Sequence, residues 1–169
     1  KIGLPSSSRI MSGPAVVKPT SRGQVTLRSP VPHARPRILH NYLQTEEDRQ
    51  SMIAGVRLNM EINVAPALKD WRRADFLVPE SASEADIMDF VQRRAHTVYH
   101  PVGTCSMGSV VDDELRVLGL EDLRVVDASV MPTIPRGNTN APTIMVAEKA
   151  SDLIRGLPAL PRVEAAKEV

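Results

Sequence analysis

Proline placement limits this chain more than any other feature of its sequence. Pro30, Pro32 and Pro36 turn one stretch into a loop, Pro66 closes a helical window, and Pro158 follows Gly156 at the end of another. Each proline fixes φ and removes a backbone donor, so regular structure has to fit between these points. The first helical window opens at Thr45-Glu46-Glu47-Asp48, which has the form of a capping box. In such a box the Thr hydroxyl covers a free amide and Asp48 reaches back. Ile53, Val56, Met60 and Val64 then share one face, predicting an amphipathic helix to about residue 64. Ser83-Glu84-Ala85-Asp86 repeats the capping pattern ahead of Ile87, Met88, Val91 and Ala95, predicting a second helix. A third is predicted from Asn140 to about residue 155, with Asn140 as cap, Pro142 in the first turn and Gly156 as the stop. Its apolar residues wrap most of the circumference, which predicts a buried helix.

The rest reads as short extended pieces. Residues 10–18 and 24–28 suit two strands, and Thr20-Ser21-Arg22-Gly23 between them has turn chemistry, so an antiparallel hairpin is expected. A short strand is expected over 37–42, and a loop over 71–79. Beyond His96, extended pieces at 97–99, 115–117 and 124–127 are separated by Gly, Pro and acidic residues. Residues 1–7 read as a disordered or cut end, and residues 158–169 as a loose tail.

Composition excludes several function classes. The 42% hydrophobic and 24% charged content is that of a soluble globular protein. A net charge of +1 with scattered basic residues, and only two Phe, two Tyr and one Trp, give no basis for nucleic-acid binding. No apolar run reaches the ~20 residues that span a bilayer. The single cysteine, Cys105, has no internal disulfide partner, which fits a reducing, cytoplasmic setting. His33, His40, His96 and His100 lack paired metal-ligand spacing, so no metal is expected. Cys105 follows His100 closely, but nothing in the sequence supplies the orienting group that a Cys–His nucleophile needs. No G-x-G-x-x-G fingerprint occurs.

Three stretches carry the most specific information. They are His-Pro-Val-Gly-Thr-Cys-Ser-Met-Gly from His100, Leu-Arg-Val-Val-Asp-Ala-Ser-Val-Met-Pro from Leu123, and Gly-Asn-Thr-Asn-Ala-Pro-Thr-Ile-Met-Val-Ala-Glu-Lys from Gly137. In that order and spacing they resemble the C-terminal part of the glucose–methanol–choline (GMC) family of flavin oxidoreductases, in particular its choline-dehydrogenase-like branch. The resemblance implies an α+β fold. Residues 8–95 would form part of a substrate domain, an antiparallel sheet with helices against one face. Residues 96–157 would carry the catalytic motif and complete an FAD-binding domain. The family's amino-terminal half, with its ADP-binding fingerprint, has no counterpart here. FAD is therefore expected in the complete protein and not on this stretch alone, which would be inactive without that half.

The chemistry implied is oxidation of an alcohol CH–OH group. Histidine suits removal of the hydroxyl proton because its ordinary pKa of ~6.5 lies near working pH. His100 fills that role by the resemblance, with hydride passing to flavin N5. Pro101 stiffens its backbone, and Gly103 permits close approach to a flat ring. Asn138 matches the family's second catalytic position, where it would hold the substrate oxygen as alkoxide develops. Asp127, Ala128, Asn138, Thr139 and Asn140 match segments that contact the cofactor. The start of the last helix would face the flavin's pyrimidine end, its positive dipole favouring the charge that builds there. Plain structural readings stand beside these: His100 as a buried, hydrogen-bonded residue, Asn138 and Asn140 as turn and cap residues, Asp127 as a strand-end turn. The partners implied are a small-molecule alcohol and the missing FAD-binding half. Two other readings stay open: a silent or self-associating fragment with its apolar face uncovered, and a flavin-dependent lyase of the same family.

Overall fold

The computed structural model describes residues 11–72, 74–158 and 161. The expected cut end at 1–7, and all of the tail beyond residue 158 except Pro161, lie outside the described residues. The chain is α+β and divides into two compact units, the first ending at Val98 and the second beginning at Tyr99.

In the first unit, β1 (Gln24–Thr26) pairs antiparallel with β2 (Arg37–Leu39), placing Val25 opposite Ile38. Both strands are exposed along their length. The apolar core lies instead between α1 (Glu46–Asn63) and α2 (Glu84–Arg94). Ile53 and Val56 of α1 meet Ile87 and Val91 of α2, with Leu43, Met52, Met60, Met88 and Phe90 around them. An 11-residue helix is marginal in water on its own, so α2 depends on this packing. Burial of each large side chain there contributes roughly 1.5–3 kcal/mol. The ion pair between Arg57 and Glu84 is exposed and long, at 4.0 Å, and contributes little by comparison.

The predicted hairpin does not form. Among the described residues 11–18 there is no strand, and 24–26 pairs forward with 37–39. The physical reason is Asp48. Its carboxylate, 1% exposed, accepts the Thr20 amide at 2.8 Å, the Ser21 amide at 2.9 Å and the Thr20 hydroxyl at 3.1 Å. The predicted turn is therefore committed to the start of α1. The return bond of the expected capping box is replaced as well. Thr45 Oγ1 accepts the Asp48 amide at 3.4 Å, but the Thr45 amide donates to Ser21 Oγ at 3.2 Å, and the Gln44 amide to the same oxygen at 2.9 Å. At α2, Ser83 Oγ accepts the Asp86 amide at 3.2 Å, while the Asp86 carboxylate accepts the Ser81 hydroxyl rather than the Ser83 amide.

The second unit contains a one-turn 3-10 helix at Ala128–Val130 and α3 (Asn140–Arg155). Isolated bridges join Met107 to Val111, Val111 to Val117 and Arg116 to Arg124, so the extended pieces expected near 115 and 124 are single ladder rungs. Val111, Leu115, Val130, Met131, Val146 and Ala150 form its core. The expectation that α3 is buried all round is not met. Val146 and Ala150 are covered, but Ile144, Met145 and Ile154 are 53%, 62% and 58% exposed. Only one face of α3 finds apolar partners within the unit.

Asp48 yields a stability prediction with a defined sign. Burial pushes its carboxyl up, but the Ser21 hydroxyl, the Thr20 and Ser21 amides and the Thr20 hydroxyl outweigh that and bring it from 3.8 to about 2. A folded pKa below the unfolded one means the stabilisation is full above the unfolded value and fades as pH falls through the folded value. The shift corresponds to about 2 kcal/mol. Asp48→Asn should lower unfolding stability by about that much near neutral pH, and by progressively less as pH falls from about 4 to about 2. Urea unfolding followed by circular dichroism across that range checks it. Equal losses at every pH would separate the carboxylate's charge from its role.

Candidate active site

His100 sits where three local constraints meet. Pro101 restricts it to extended backbone. Tyr99 before it has a φ of 64°, a left-handed conformation that a bulky residue holds only when its surroundings impose it. The stretch after it is laced to the 3-10 turn: the Cys105 amide donates to Ser129 O at 3.0 Å, and the Met107 amide to Val130 O at 2.9 Å. Val130, fully buried, anchors that turn in the core. The core thereby fixes the histidine loop.

Asp127 starts the same turn. Its Oδ1 accepts the Ser129 amide at 2.7 Å, the cap that a strand-end Asp makes, while Oδ2 meets no partner among the described residues. Ala128 is half-buried and packs against the core. The expected cofactor residues at this position thus have a clear structural task of their own.

The start of α3 differs from the sequence expectation. Thr139, not Asn140, occupies the cap position, and no side chain caps the helix. The Thr139 hydroxyl turns instead to His100, with Oγ1 lying 3.1 Å from Nδ1. The Thr139 backbone N–H also donates to that nitrogen, at 3.4 Å. Thr139 is held from behind as well. Its carbonyl accepts the Thr143 amide at 2.9 Å and the Thr143 hydroxyl at 2.6 Å. With Thr139 only 7% exposed and His100 half-buried, the pair forms a fixed junction across 39 residues of sequence. His100 Nε2 meets no hydrogen-bond partner among the described residues, which leaves it available to a ligand.

Asn138 and Asn140, on either side of Thr139, are exposed, and no hydrogen bond among the described residues joins either to His100. The Asn140 and Ala141 amides, in the first turn of α3, also meet no acceptor among the described residues. Cys105 is a half-buried free thiol whose amide, rather than its sulfur, ties the loop down. No group of three or more His, Cys, Asp or Glu side chains converges among the described residues. Two concavities lie within the first unit, one lined by residues including Leu77 and Phe90, the other by Tyr42 and Met88. Neither contains chemistry comparable to the His100–Thr139 pair. The sequence marks Thr139 only as a cofactor contact. Its position one residue before a helix marks it as a cap candidate, but its contact with a distant histidine leaves no sequence signal.

Comparison with known proteins places these observations in a family. Residues 19–147 match the family model described as GMC oxidoreductase. The chain is 49% identical over 151 residues to an oxygen-dependent choline dehydrogenase of Klebsiella pneumoniae (strain 342), covering 86% of this chain and 27% of that protein. It is 48% identical over 147 residues to one of Chromohalobacter salexigens, covering 84% and 26%. Among solved structures, pyridoxine 4-oxidase from Mesorbium loti superposes with a TM-score of 0.76 at 36% identity, covering 85% of this chain and 29% of that one. A fungal aryl-alcohol oxidase superposes with a TM-score of 0.71 at 34% identity, covering 82% and 24%. The chain spans about a quarter of the length of the curated relatives it matches.

Gly103 offers a test of how the loop is held. Its φ is +89°, and a Cβ there would meet Met131 O at 3.5 Å, an ordinary contact, so the cost of a side chain is conformational rather than steric. Gly103→Ala should destabilise the fold by about 1 kcal/mol or more, read as a lowered thermal midpoint. An unchanged midpoint would mean the loop relaxes freely and does not hold His100 rigidly.

Proposed function

The chain belongs to the GMC oxidoreductase family, and on that premise we propose that it carries the proton-abstracting centre of an FAD-dependent enzyme oxidising an alcohol. The observation that carries the reading is the His100–Thr139 junction: Nδ1 is held and Nε2 is left open. The reading applies to a protein of the relatives' length, since this chain spans about a quarter of them. Names of relatives supply the substrate class, a small alcohol in the choline-dehydrogenase-like branch.

The residues present fit FAD on structural grounds. The unpartnered Asn140 and Ala141 amides, at the positive end of α3, suit a group that becomes negatively charged. The free Oδ2 of Asp127 can accept from a ribityl or sugar hydroxyl. Gly103, lacking a side chain, admits a flat ring. Asp127, Ala128, Asn138, Thr139 and Asn140 are the residues proposed to hold the cofactor. When bound, the flavin supplies a hydride acceptor at N5.

Every other step belongs to the chain's own groups. The His100 imidazole takes the hydroxyl proton, a step for which it is suited near neutral pH. The Asn138 side chain, exposed and without a hydrogen-bond partner among the described residues, donates to the developing alkoxide oxygen. The α3 amides would favour the negative charge that builds on the flavin.

Two substitutions test the assignment in the flavin-loaded protein by stopped-flow flavin reduction. His100→Ala should slow reduction by about 100-fold or more, as expected for lost general-base catalysis. Unchanged kinetics would remove His100 from the mechanism. Asn138→Ala should lower the rate by about 100-fold, the scale for one lost oxyanion donor, while the bound flavin's absorbance persists. A rate unaltered from that of the parent protein would return Asn138 to a turn residue.

A further inference from the structure

We propose that the tip of the β1–β2 ribbon is a docking surface for an anionic lipid bilayer. The net charge of +1 conceals an uneven split. Residues 1–45 hold seven Lys and Arg and no Asp or Glu, while all 20 acidic residues lie from Glu46 onward. Within that stretch the fold gathers three arginines at one end of the ribbon. Thr26 stands opposite Arg37 in the last pair of the ladder. Arg28 and Arg35 each lie two residues beyond that pair, on the two arms of the connecting loop. All three are exposed, and none forms an ion pair among the described residues. Cations gathered without an acid repel one another, and an anionic partner relieves that repulsion.

The same tip exposes apolar side chains. Leu27, next to Arg28, is 88% exposed, and Val31 in the loop is 58% exposed. Pro30 and Pro32 flank Val31 and fix φ on both sides of it. The Val31 amide donates to Ser29 Oγ at 3.1 Å, and its carbonyl accepts the Ala34 amide at 3.0 Å. The loop therefore holds a set shape, and presenting Val31 to a partner costs little further ordering. Charge and apolarity together select that partner. A purely acidic protein surface would satisfy the arginines and leave Leu27 and Val31 in water. A bilayer with anionic headgroups meets both, with phosphates for the guanidinium groups and acyl chains beneath them for the apolar pair. The planar guanidinium also matches a phosphate with paired N–H donors. This surface lies in the first unit, and the proposal does not depend on the role of His100.

Sedimentation of the complete protein with vesicles tests this, using phosphatidylcholine alone and phosphatidylcholine mixed with phosphatidylglycerol. The protein should sediment with the mixed vesicles and stay in solution with the neutral ones. Replacing Arg28, Arg35 and Arg37 together by Gln should weaken binding by roughly 100-fold, the scale set by three cations near a charged membrane. Leu27→Ser combined with Val31→Ser should weaken it by roughly tenfold. Equal sedimentation with both kinds of vesicle, or none with either, overturns the proposal. Binding of the Leu27→Ser, Val31→Ser protein equal to the parent's also overturns it, because a surface that reads charge alone is one for an acidic protein. If the arginine variant does not fold, salt takes its place. Raising salt from about 0.1 M to about 1 M shortens the screening length from about 10 Å to about 3 Å, so the parent protein should leave the mixed vesicles. Its retention there would overturn the assignment.

Discussion

Thr139 turns its hydroxyl to His100 and leaves the start of α3 without a side-chain cap. Two consequences follow from that choice. The imidazole gains a fixed partner from a distant part of the chain, and the helix keeps its first-turn amides unspent. Losing a cap costs a helix about 1 kcal/mol, so an uncapped start is tolerated where something else holds the helix down. Val146 and Ala150 in the core, with Thr143 bonded to the Thr139 carbonyl, provide that hold.

What the sequence made legible was what local rules decide. The starts of α1 and α2 followed from Thr45 and Ser83, and the ends of α1 and α3 from Pro66 and Gly156, whose φ of 65° suits glycine. Where a side chain found a partner far along the chain, local reading failed. Asp48 reads as the return arm of a capping box, yet it reaches back 28 residues to Thr20 and converts a turn signal into a helix anchor. The hairpin drawn through those residues therefore could not form. Asn140 reads as a cap for the same local reason and is displaced by one position. At the site, motif likeness drew attention to both His100 and Thr139, but only the fold joined them, because their contact depends on where the core sets the 3-10 turn and α3.

The histidine loop also shows what a small core must support. A left-handed Tyr99 costs on the order of 1–3 kcal/mol. Two amide bonds to the 3-10 turn, from Cys105 and Met107, and the burial of Val130 and Met131 offset that cost. The strain falls immediately before the residue whose direction matters most. By contrast, Ile144, Met145 and Ile154 are exposed, so α3 contributes to this core through its inward face, Val146 and Ala150.

A neutral orienting group suits this location better than a carboxylate. An acid at position 139 would hold the histidine more firmly through a charge-assisted bond. It would also place a full negative charge in the first turn of α3, where the dipole would retain it. Under the proposed function, that positive end must instead favour charge arriving from the reaction. A carboxylate there would neutralise the field before it could act. It would also stabilise the imidazolium before any substrate bound, filling the nitrogen that has to take the proton. A threonine hydroxyl holds the ring without adding charge, and so leaves the helix field intact. The same argument accounts for the uncapped helix: a site that uses a helix start as an electrostatic resource has to leave its amides free.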